Sequence, residues 1–85
     1  MDELALLAGL LEERRGVIAD HAWRDSDANA HLTALKDVSE RITACAGRLG
    51  PGAPGRLRHF LENCSYDKAL AFLIQSGIHP APPVD

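Results

Sequence analysis

The sequence predicts a small all-α domain. Its 85 residues leave no room for two hydrophobic cores, because typical domains hold about 100 to 150 residues. The hydrophobic content of 46% comes mostly from leucine and alanine, and aromatic residues make up only 5%, which favours helices over strands. Apolar residues also recur at intervals of three and four, the period of a helix that packs on one side. We expect one helical bundle over residues 1–78 and an extended proline-rich tail over 79–85.

The first helix is predicted over about 2–22. It carries one narrow apolar stripe at helical spacing, made of Leu4, Leu7, Leu11, Ile18 and Ala22. Leu6, Leu10 and Val17 form a second stripe roughly 100° away on the same cylinder. The second stripe indicates either that this helix packs against two neighbours within the bundle or that it contacts a second subunit.

The second helix is predicted over about 27–47, folded back along the first. The stretch RDSD at 24–27 interrupts the periodicity, and Ser26 or Asp27 can accept a hydrogen bond from the amides that open the next helix. A short connection between helices favours an antiparallel hairpin. A seam with alternating steps of three and four faces the partner helix, and it consists of Leu35, Val38, Ile42, Cys45 and Leu49.

Two shorter helices are predicted after the GPGAPG corner at 50–55, over about 55–64 and 66–76. Proline and glycine end the second helix at this corner. Leu57, Phe60, Leu61 and Cys64 share one face of the third helix. We expect Ser65 to cap the fourth helix, Gly77 to close it, and Ile78 to fold back onto Leu73.

The fourth helix has an unusually wide apolar surface. One face carries Tyr66, Ala69, Leu70 and Leu73, and Phe72 and Ile74 lie at opposite edges of it. The apolar arc is therefore about 200° wide. Because the third helix is too short to cover both edges, either the fourth helix lies in the notch between the first two helices, or one edge, Phe72 or Ile74, is left for a partner.

The same segment resembles a known repeat. Tyr66, Asp67, Lys68, Ala69 and Leu70, followed by Phe72 and Leu73, are similar to the second helix of a tetratricopeptide repeat, which often carries a Tyr-Asp-x-Ala-[Leu/Ile]-x-[Tyr/Phe] run. The resemblance covers about a dozen residues, and Ser76 stands where the family has its next alanine. It implies a peptide-binding groove.

Charge and hydropathy indicate where the chain acts. Nine basic against twelve acidic residues give a net charge of −3, which does not favour nucleic-acid binding, since that binding needs clustered Lys and Arg. The apolar start lacks a basic region and is interrupted by EERR at 12–15, so it does not resemble a signal peptide. No apolar run reaches the 18 or more residues of a membrane span. We expect a cytoplasmic protein that contacts neither nucleic acid nor membrane.

No motif indicates catalysis or a cofactor. There is no Gly-rich phosphate loop, no GxSxG turn and no pair of histidines at i, i+4, so we predict neither an enzyme nor a bound metal or cofactor. His31 lies on the same face as the buried seam, where we expect a locally hydrogen-bonded core histidine. Cys45 and Cys64 both lie on apolar faces, where free cysteine behaves as a small hydrophobe.

The sequence therefore predicts a non-enzymatic helical protein-interaction module that binds another protein or forms a homodimer. The candidate interface residues are Leu6, Leu10, Val17, Trp23, Phe72 and Ile74. One alternative is a small-ligand or metal site that joins His31 to Cys45 and Cys64. A second alternative is a helix-turn-helix DNA binder that uses the last two helices, which the acidic balance and Asp67 disfavour.

Overall fold

The computed structural model describes residues 3–50 and 53–78, and within these ranges it contains five helices and no strand. The helices are α1 (Glu3–Ala19), α2 (His21–Ser26), α3 (Ala28–Gly47), α4 (Gly55–Glu62) and α5 (Tyr66–Gln75). The prediction of a small all-α bundle is confirmed. The predicted helical residue 2, part of the GPGAPG corner (51–52) and the proline-rich tail (79–85) lie outside the described residues.

The two long helices, α1 and α3, form the predicted antiparallel hairpin. The start of α1 meets the end of α3, where Arg48 lies 3.5 Å from the Glu3 carboxylate. Farther along, Arg41 pairs with Glu13. α1 also packs against α5, α2 packs on α3, and α4 packs mainly on α5. α1 therefore has two main neighbours in the bundle, α3 and α5.

The core is built from the faces that the periodicity predicts. Its buried members come from every helix except α2, and they are Leu7, Ala8, Leu11, Val38, Ile42, Cys45, Leu57, Ala69, Leu70 and Leu73. Leu35 and Leu49 of the predicted seam are partly buried against this core, as is Tyr66. Burying a leucine or isoleucine side chain stabilises the fold by about 1.5 to 3 kcal/mol, so this cluster holds the bundle together.

The first predicted helix is in fact two, because the chain breaks at Asp20. The Asp20 carboxylate accepts a hydrogen bond from the Trp23 amide at 3.0 Å, which makes Asp20 the N-cap of α2. The Asp20 amide bonds only three residues back, to the Val17 carbonyl at 3.2 Å. The prediction of one helix to residue 22 was wrong, since a side chain that caps the next helix competes with continuation of the first.

The break leaves the end of α1 uncovered. Ile18 was predicted in the core stripe of the first helix, but 40% of it is exposed, and Ala22 is also exposed. α2 packs mainly on α3, and Ile18 is left on the open side of the last turn of α1. Leu7 and Leu11 are buried, as the stripe predicts, because neighbouring helices cover that part of α1. The prediction fails at Ile18, which those helices leave exposed.

α4 and α5 both end in Schellman caps. Gly77 has φ +85°, and the Ile78 amide bonds the Leu73 carbonyl at 3.0 Å, as predicted. At the end of α4 the same left-handed position is filled by Cys64, with φ +55°. Cys64 is exposed, so its predicted place on the buried face was wrong: α4 ends at Glu62, and the left-handed Cys64 no longer follows the helical spacing of Leu57 and Leu61.

The predicted N-caps are partly confirmed. Asp27, rather than Ser26, caps α3, since its carboxylate accepts from the Ala30 amide at 3.1 Å. The Ser26 hydroxyl donates instead to the Trp23 carbonyl. Ser65 occupies the N-cap position of α5, but its hydroxyl makes no capping hydrogen bond.

Candidate functional site

The outer face of α5 lies between two surface grooves. Ala71 and Gln75, one turn apart and both exposed, form a ridge shared by the two grooves. The α1–α5 groove, of about 460 Å³, is lined by Arg15, Asp67, Leu70, Ala71, Ile74 and Gln75. The α4–α5 groove, of about 370 Å³, is lined by Arg56, Phe60, Lys68, Ala71, Phe72 and Gln75. We call the ridge with its two grooves the α5 surface.

The two edge residues of α5 lie in different grooves and differ in exposure. Ile74 is 50% exposed in the α1–α5 groove, beside the buried Leu70. Phe72 is partly buried in the α4–α5 groove, where it packs edge-on against Phe60 with 6.3 Å between ring centroids. Ile74 is therefore the edge that the bundle leaves open, because α4 covers only the Phe72 side.

A contact between Arg14 and Tyr66 holds the start of α5 against α1. The Arg14 guanidinium carbon lies 4.6 Å from the centre of the Tyr66 ring. Arg14 Nε is buried and has no hydrogen-bond partner within the described residues, and the attraction between the cation and the ring offsets part of that cost. The contact adds to the core packing that holds α5 against α1, beside the α1–α5 groove.

The Tyr66 hydroxyl also lies close to the thiol of Cys64. Burial, followed by the hydrogen bond and charge of Cys64, raises the pKa of Tyr66, whereas Arg14 lowers it.

Sequence reasoning missed the role of Arg14. Its signal was present, since Arg14 falls three residues after Leu11 on the buried stripe of α1, where a charged residue needs a partner.

Three of the candidate interface residues on the first predicted helix are partly buried. Leu6 and Leu10 pack against the core, in the crowded region where α1 has both α3 and α5 as neighbours. Val17 is partly buried in the last turns of α1. None of the three side chains is as exposed to solvent as Ile74.

Val17 and Trp23 meet around His31. His31 is 7% exposed, and its Nε2 lies 2.6 Å from the Val17 carbonyl oxygen. Because a carbonyl oxygen can only accept, Nε2 carries a proton and donates it. The partly buried Trp23 ring packs edge-on against His31 at 5.5 Å. His31 is thus a core histidine that ties α3 to the end of α1, and Trp23 covers it.

The residues of the alternative metal site do not converge. His31 and Cys45 lie nearly four turns apart on α3, roughly 20 Å along its axis. The Cys45 thiol instead lies 3.7 Å from the Glu3 carbonyl oxygen. Burial raises the pKa of Cys45, with Glu3 raising it further and Arg48 opposing. Over residues 3–50 and 53–78, no three His, Cys, Asp or Glu side chains group to hold a metal ion.

Comparisons with family models, curated proteins and solved structures found no match to this chain. They therefore add no support to the short resemblance of α5 to a tetratricopeptide repeat. Among the helices described, none has both the length and the hydropathy needed to cross a membrane.

Proposed function

We propose that this chain is a small cytoplasmic, non-enzymatic protein-interaction module, and that the α5 surface is where it contacts its partner. The observation that carries the proposal is the half-exposed Ile74, which stands in one of two grooves that meet along a single ridge. Two free cysteines suit the reducing conditions of the cytoplasm.

The α5 surface has the physical features of a contact site. Ala71 is small, so a partner backbone can approach the ridge closely. Covering the exposed half of Ile74 is worth about 1 kcal/mol, as half of the burial of an aliphatic side chain. Ala69, Leu70 and Leu73 anchor α5 in the core, so its backbone loses little conformational entropy on binding.

An affinity capture from the source cell, with quantitative mass spectrometry, tests this proposal. We compare the wild type with Ile74→Glu, and with Leu32→Glu as the matched control. Leu32 is 55% exposed on α3 and lines neither groove. We expect the specific partner to be lost from Ile74→Glu and kept by Leu32→Glu, with unchanged helical content in both. Equal retention of the same proteins by all three chains would show that no partner covers Ile74, and would remove the observation that carries the proposal.

The same variants decide whether the partner is a second copy of the chain. Sedimentation equilibrium from micromolar to millimolar concentration reports the oligomeric state. If the homodimer uses the α5 surface, the dimer dissociates in Ile74→Glu and persists in Leu32→Glu. A strictly monomeric wild type removes self-association and leaves a heterologous partner.

A further inference from the structure

The α4–α5 groove is positively charged although the chain is acidic. Arg56 stands on its α4 wall and Lys68 on its α5 wall, and no carboxylate lines it. The α1–α5 groove differs, since Arg15 and Asp67 place both signs of charge there. The chain as a whole has a net charge of −3, so this local excess of positive charge runs against the composition.

The two cations of the α4–α5 groove carry charges that no acidic side chain of the described residues neutralises. Neither Arg56 nor Lys68 forms an ion pair with a carboxylate of residues 3–50 or 53–78. The arginine within α3 and the one that follows its end behave differently. Arg41 pairs with Glu13 and Asp37, and Arg48 pairs with Glu3. The charges of the α4–α5 groove therefore remain available to an anionic partner.

The floor of this groove is aromatic and held in place. Phe60 and Phe72 pack at an angle of 68° with 6.3 Å between their centroids. The Arg56 guanidinium carbon lies 5.9 Å from the centre of the Phe60 ring, so the cation is close to the aromatic floor. An apolar floor between two cationic walls fits a segment with apolar side chains on one face and carboxylates beside them.

We infer that the α4–α5 groove binds an acidic amphipathic helix of the partner protein. Such a helix lays anchors spaced at i, i+3 or i+4, and i+7 into a hydrophobic groove. Its flanking Glu or Asp side chains then reach Arg56 and Lys68. The inference rests on the proposed function, because it names the partner of the α5 surface. Two cations on an acidic domain fall short of what phosphate-driven nucleic-acid binding requires.

Fluorescence anisotropy with three labelled probes tests the inference. The first is a synthetic helix with leucine at every third or fourth position and glutamate at most others. The second replaces each glutamate by lysine, and the third is single-stranded poly(dT). We expect the glutamate helix to bind about tenfold more tightly than the lysine helix, because the lysine helix replaces two ion pairs at the rim of the groove by two repulsions. Binding of the glutamate helix should weaken as the salt concentration rises. Equal binding of the two helices, or preferred binding of poly(dT), overturns the inference.

Paired charge reversals locate the binding. Arg56→Glu with Lys68→Glu should invert the preference between the two helices. Arg58→Glu with Lys36→Glu makes the same change in net charge at exposed cations that line neither groove, and it should keep the wild-type preference. If both double variants respond alike, the preference reflects net charge and the inference fails.

The two proposals fail separately. If no helix binds but capture of a cellular partner still depends on Ile74, the inference is wrong and the proposed function stands. If capture is also insensitive to Ile74→Glu, both are wrong.

Discussion

One substitution, glycine to alanine, should change stability in opposite directions at two positions of this chain. Gly16 lies within α1 and Gly77 follows α5, and an added Cβ meets no atom within 4 Å at either position. Steric crowding therefore cannot distinguish the two positions. The backbone does, because Gly77 has φ +85° and Gly16 is helical.

The magnitudes follow from the two backbone conformations. Gly16→Ala should stabilise the fold by about 0.8 to 1 kcal/mol, the difference in helix propensity between the two residues. At Gly77 the left-handed conformation costs an L-residue about 1 to 2 kcal/mol. Reduced freedom of the unfolded chain returns about 0.4 to 1 kcal/mol. Gly77→Ala should therefore destabilise by about 1 kcal/mol.

Urea unfolding followed by circular dichroism, with thermal melts, measures both changes. A difference of about 2 kcal/mol between the variants corresponds to more than about 8 °C in melting temperature for a domain of this size. The slope of unfolding free energy against urea should be unchanged, since neither variant alters the buried surface. Shifts of the same sign at both positions would refute the reasoning, because they would show that φ does not decide the effect.

Two further predictions concern the cysteines and Tyr66. A thiol reagent should modify the exposed Cys64 at once and the buried Cys45 only on unfolding; equally fast reaction of two thiols in the native protein would contradict this. Burial raises the pKa of Cys45 and Tyr66, so the folded state holds both protons more tightly, and stability should be full at neutral pH and fall above about pH 9. Tyr66→Phe removes the hydroxyl but keeps the ring over which Arg14 lies. In urea titrations from neutral to alkaline pH, its free energy of unfolding should fall less steeply than that of the wild type, and an identical fall would exclude a contribution from Tyr66.

Local patterns predicted most of the helices correctly. The periodic run through Val38 and Ile42 predicted α3 and its buried face, because a long amphipathic helix that packs on one side shows that side in the spacing of its apolar residues. Gly77 predicted the end of α5 because a Schellman cap needs only neighbouring residues. Both features are local, so sequence alone carries them.

The site was predicted only in part. The width of the apolar arc on α5 indicated that Phe72 and Ile74 could not both be covered, and Ile74 is the residue that the bundle exposes. Which of the two would be open depended on the side of α5 on which α4 packs. The pairing of Arg14 with Tyr66 likewise depended on how α5 lies across α1.

The sequence by itself determined that this chain forms an amphipathic helical bundle, because helical periodicity, caps and proline-glycine breaks act over a few neighbouring residues. Only the tertiary structure decided that Ile18 is left exposed, that Arg14 packs on Tyr66, and that two grooves meet along α5. Those features depend on which helices touch. Helix contacts between residues far apart in the chain leave no periodic signal in a single sequence.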